Sequence, residues 1–134
     1  MSKEKLIKHW EEDSDKNFNE MLTMFDSKHY PWALFVGHLS LEKLLKAIYA
    51  ERNPKQPEAP RIHNLVALAE KCNLELDDEK AYLLGVIYTF CMEARYPDIK
   101  QDFYKRCTKE YAEMHVKNIK ELRSWLKTEL IKKS

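Results

Sequence analysis

Apolar positions recur along this chain at helical spacing, and one stretch departs from the pattern by being apolar on nearly every side. Residues 31–49, PWALFVGHLSLEKLLKAIY, spread Trp32, Leu34, Phe35, Val36, Leu39, Leu41, Leu44, Leu45, Ala47, Ile48 and Tyr49 over most of a helical circumference. A helix of that kind belongs at the centre of a domain. Pro31 suits its first turn, where a missing N–H costs nothing. One polar stripe interrupts it. His38, Glu42 and Lys46 follow at four-residue steps and share a face, with Lys43 beside them.

The remaining pattern predicts partners for this central helix. From about Lys3 to Ser27, Leu6, Ile7, Trp10, Phe18, Met21, Leu22 and Phe25 form the apolar stripe of an outer helix whose other face is charged. A connection as short as residues 28–30 makes the two helices antiparallel neighbours. Residues 51–61, ERNPKQPEAPR, contain three prolines and read as an exposed loop. A short helix is expected over Ile62–Cys72, with His63 or Asn64 at its start and Asn73 at its end. Asp77 and Asp78 then cap a second strongly apolar helix running to about Ala94. Within it Gly85, Thr89 and Glu93 leave a line of little bulk, suited to close packing on the central helix or to a two-fold contact with a second copy. Pro97 predicts a sharp end and a loop to about Asp102, because the residue before a proline is pushed out of the α region. A last helix is expected over Phe103–Ile131. The fold class is therefore all-α, an up-and-down bundle of four long helices plus one short helix, forming a single domain over residues 1–134.

Composition narrows the function classes. The charged residues nearly cancel, leaving net charge +1, which argues against adhesion to DNA or membranes through bulk charge. Cys72, Cys91 and Cys107 are widely spaced and odd in number, matching neither a disulfide framework nor a zinc site, and a cytoplasmic setting is expected. The charged N-terminal segment has no signal-peptide core, and the apolar block Ala81–Met92 is too short to span a bilayer. The five histidines fall in no metal-ligand spacing, so neither a metal site nor a cofactor is predicted.

Two groups of side chains carry candidate chemistry. Arg95, Tyr96 and Asp98 follow the second apolar helix. An arginine there offers a planar fork for phosphate and the tyrosine a stacking face, unless Glu42 or Glu93 clasps the arginine. The stripe of His38, Glu42 and Lys46, with Lys43 and with His63 from the short helix, completes a candidate site for a small phosphate-bearing ligand. His38 needs a partner inside the bundle, and His63 is a candidate cap. His115, among Tyr111, Ile119 and Leu122, reads as a core histidine.

Three segments in this order also carry a family resemblance: GHLSLEKLLKAIYA (37–50), PRIHNLVAL (60–68) and ARYPD (94–98). Together they resemble the HEPN domain family. The resemblance implies a bundle of four or five helices, usually dimeric, associated with nucleotide binding and found beside small nucleotidyltransferase-like partners. A branch of the family comprises metal-independent RNases and toxins that use an R-x(4–6)-H motif on the last helix. Here Arg106 and His115 are nine residues apart, a spacing that puts them on opposite sides of one continuous helix, and Arg106 with Tyr111 makes only an R-x4-Y. A tyrosine is a poor general base at neutral pH. No catalytic residue is assigned. The sequence thus points to a non-catalytic, homodimeric module that binds a nucleotide or pairs with a nucleotidyltransferase-like protein. The alternative is an RNase of a toxin–antitoxin system with a degenerate site.

Overall fold

The computed structural model describes residues 2–132, apart from the side chains of residues 97–100. Among the described residues six helices follow one another: α1 (Lys3–Asp26), α2 (Tyr30–Arg52), α3 (Leu65–Lys71), α4 (Asp78–Arg95), α5 (Pro97–Arg106) and α6 (Lys109–Ile131). There is no strand among the described residues. The long helices start on side-chain caps: the oxygens of Ser2, Asp77 and Thr108 accept from the backbone N–H of Lys5, Lys80 and Tyr111. α2 starts instead with a proline in its first turn. α1 and α3 end alike. Lys28 (φ 66°) and Asn73 (φ 57°) turn left-handed, and the next N–H groups reach back to Met24 and Ala69.

Contacts fix the directions. Lys3 pairs with Glu51 and Lys43 with Asp13, so α1 and α2 run antiparallel. Lys127 pairs with Glu11 and Arg123 with Asp15, so α6 is antiparallel to α1 as well. Phe90 touches His115, and Lys80 lies over Trp125, which sets α4 antiparallel to α6. The four long helices are therefore up-and-down, with α2 in the middle. Ala33, Leu34, Leu41, Leu44, Leu45, Ala47, Ile48 and Ala50 of α2 have no exposed surface. At Gly37 side chains of α1 and α6 press on the α2 backbone, since a Cβ added there would stand 2.6 Å from Ile119 Cδ1 and 2.7 Å from Met21 Sδ. Among the described residues no helix is long and apolar enough to cross a membrane.

Three expectations change. Residues 97–106 form α5 where a loop was expected to about Asp102, because Pro97 occupies the first turn of a new helix as well as ending the old one. The expected helix from Phe103 to Ile131 is consequently divided: Cys107 leaves the helical region (φ −80°, ψ 67°) and Thr108 caps α6. Phe103, at no exposure, stacks on Phe90 at 5.6 Å and anchors α5 to the core. Finally, the line of small residues on α4 does not pack on α2. Thr89 is exposed and a Cβ at Gly85 would meet nothing within 4 Å, while Leu84, Ile87, Phe90 and Cys91 face the core.

The two glycines should respond in opposite directions. Gly85→Ala is expected to stabilise the fold by about 0.5–1 kcal/mol, from helix propensity alone. Gly37→Val is expected to destabilise it by about 1–3 kcal/mol through overpacking. Urea unfolding midpoints of the two variants check both.

Candidate functional site

The polar stripe of α2 lies against the segment that leads into α3, and there the side chains order one another. Glu42, 4% exposed, places Oε1 2.9 Å from His63 Nδ1 and Oε2 3.2 Å from Lys46 Nζ. One turn earlier His38, with no exposed surface, donates from Nε2 to the His63 carbonyl at 3.0 Å. His63 is therefore held twice from one helix, by its backbone through His38 and by its ring through Glu42. Asn64, not His63, caps α3, accepting from the Ala67 N–H.

Charge and burial define the state of these groups. Burial drives the His38 pKa down to about 4, against the opposing pull of Glu42. The ring is neutral near pH 7, with its hydrogen on Nε2, and Nδ1 is buried without a partner among the described residues. Arg95, at the end of α4, is close enough for its charge to add to that lowering. Tyr88 of the same helix sets its ring 6.2 Å from His38. Lys46 completes the line: its ammonium sits 5.1 Å from the Trp10 ring centroid, between α1 and Glu42.

The structure thus brings together His38, Glu42, Lys46 and His63, with Arg95 beside them. Arg95 and Tyr96 are exposed, and Arg95 makes no ion pair with a described residue. Neither carboxylate proposed as its clasp takes it, because Glu42 is held by His63 and Lys46, and Glu93 pairs with Arg106. Lys43 turns to α1 and pairs with Asp13 at 3.6 Å. The side chain of Asp98 lies outside the described residues. Sequence reasoning did not assign Trp10 or Tyr88 to this region. Trp10 belongs to the apolar stripe of the first helix and Tyr88 to the apolar block Ala81–Met92, and only the packing of α1 and α4 shows that they flank polar groups.

A second cluster lies where α5 meets α6. The break at Cys107 and Thr108 removes the premise that Arg106 and His115 share one helix. Arg106 folds over the rings of Phe103 and Tyr111, at 5.6 and 5.7 Å, and pairs with Glu93. His115 packs edge-on against Tyr111 and Phe90, with centroids 4.6 and 5.1 Å away. It is a core histidine, 4% exposed, whose pKa is lowered by burial and then by Arg106. Burial also raises the thiols of Cys72 and Cys107 to about 12, so neither is a ready nucleophile. Among the described residues no group of three or more His, Cys, Asp or Glu side chains is arranged to hold a metal ion.

A protein-family model described as "HEPN domain" matches residues 7–130. No curated protein matches the chain. No solved structure matches it either.

The state of His38 makes stability depend on pH in a fixed direction. Its pKa is about 4 in the folded chain against 6.5 for a free histidine, so between these values the unfolded chain binds more protons. Stability present above pH 6.5 should fall as the pH drops towards 4, by up to about 3 kcal/mol from this group. His115 contributes with the same sign. Urea unfolding across this range should show the loss, and His38→Gln should flatten it.

Proposed function

The chain belongs to the HEPN domain family, matched over residues 7–130, and on that premise we propose that it is a non-catalytic module binding a nucleotide or another small phosphate-bearing ligand between α2, α4 and the entry to α3. It is a HEPN-type helical module, of a family associated with nucleotides and RNA. The finer reading rests on one observation above the rest. Arg95 presents its guanidinium at the surface beside the polar stripe, while Glu42 and Glu93, the two carboxylates weighed as its clasp, are engaged elsewhere. A planar five-donor cation left without a carboxylate among the described residues is suited to the paired oxygens of a phosphate. Tyr96, half exposed at the next position, offers an aromatic face to a base.

The proposal extends to partners. A homodimer is supported by the outward face of α4, where Tyr82, Thr89 and Met92 are exposed around Gly85. A small nucleotidyltransferase-like protein is the second partner in this reading, and the cytoplasm is the compartment, in keeping with three cysteines that remain unpaired.

Thermal unfolding against a panel of nucleotides tests the binding site. A ligand present at ~100 times its dissociation constant adds about 2.7 kcal/mol to the folded state. One nucleotide should raise the melting temperature of the wild type and leave Arg95→Ala unchanged. If no nucleotide shifts the wild type, the binding reading fails.

A further inference from the structure

His63 is the one member of the cluster that is both rigidly held and open to solvent. Its side chain is 44% exposed. Its carbonyl and its Nδ1 are engaged by His38 and Glu42, whereas Nε2 has no partner among the described residues. With the Glu42 carboxylate at Nδ1, the ring hydrogen of the neutral form belongs on Nδ1 and Nε2 carries a bare lone pair. That lone pair repels an anionic oxygen. Once Nε2 also carries a proton, the same atom becomes a charged donor fixed in direction, and its charge is offset by Glu42 2.9 Å away.

We infer that the Glu42–His63 pair makes this site selective for a terminal phosphate monoester over a phosphodiester, with one proton taken up at His63 when the monoester binds. The inference rests on the phosphate-binding reading given above and deepens it. The described charged groups around this cluster are Glu42 and Lys46, paired on α2, Arg61 two residues before His63 on its own segment, and Arg95 at the end of α4, while His38 is neutral. A proton on His63 adds one positive charge to what these leave. A monoester carries roughly −1.5 to −2 at neutral pH where a diester carries a single negative charge, so the added proton answers the monoester's additional charge. No bond is made or broken. The proton comes from solvent and returns to it on release.

Isothermal titration of the full chain tests this, using the four nucleoside 5′-monophosphates and their 3′,5′-cyclic diesters in buffers of different ionisation heat. The expected result is that one monophosphate binds at least about tenfold tighter than its cyclic diester and takes up about one proton. His63→Gln should lose both the proton uptake and the preference. Monophosphate binding by the wild type without proton uptake, or a preference that survives in a folded His63→Gln, overturns the inference. If such binding is still lost in Arg95→Ala, the phosphate-binding reading survives. If no ligand of either class binds the wild type, both fall. The proton count on the wild type decides the matter even where His63→Gln fails to fold.

Discussion

A carboxylate on a helix buried along most of its surface has to be compensated where it stands, and in this chain that carboxylate is Glu42. Taking a carboxylate out of water costs several kcal/mol, and a single ion pair offsets this only when the remaining lone pairs are also used. Lys46, one turn on, takes one oxygen and His63 takes the other. The first partner follows from helical periodicity. The second must be brought by a segment remote in sequence, so compensating Glu42 also decides where the chain runs after α2 and where α3 begins. Lys46 in turn has little room, and the Trp10 ring of α1 lies against its ammonium.

Around this polar seam the bundle follows ordinary packing logic. α2 is the shared wall for α1, α4 and α6, and Gly37 lets the first and last of these approach it where Met21 and Ile119 fill the space. On the side away from α2, Arg123 and Lys127 of α6 pair with Glu11 and Asp15 of α1, and partly exposed pairs of this kind add little energy each. The core therefore supplies most of the stability, and the polar stripe contributes specificity of arrangement. Arg95, exposed at the end of α4, pairs with neither Glu42 nor Glu93.

Much of the architecture was legible in the sequence because its signals are local. The central helix, the capping aspartate at Asp77, the left-handed stop at Asn73 and the pairing of Glu42 with Lys46 all depend on residues within a few positions of one another. α5 was not legible, since Pro97 has two meanings: it ends a helix before it and is equally suited to the first turn of one after it. The stripe of Tyr104, Cys107 and Tyr111 kept helical phase across the break, so periodicity alone joined two helices into one, and Thr108 with Glu110 behind it was the overlooked start signal. At the site, the need of His38 for a partner could be read, but not that the partner would be a loop carbonyl. That Glu42 and Glu93 would both be engaged by groups other than Arg95 is a property of the packed chain.

The double hold on His63 has a bearing on how this protein can change over time. Asn53 at the end of α2 is tied back to the Tyr49 carbonyl, and ten residues later the chain is fixed again at His63 by two atoms of the same helix. Everything between those anchors is a closed loop whose ends are set by α2 alone. Closure entropy grows only slowly with loop length, by about 0.6 kcal/mol for each doubling. Insertions and deletions between Asn53 and Pro60 are thus nearly neutral for both fold and site, whereas a shift of one residue between His63 and Asn64 would separate the clamp from the α3 cap. Length variation among relatives of this chain should accumulate before Pro60 and stop there.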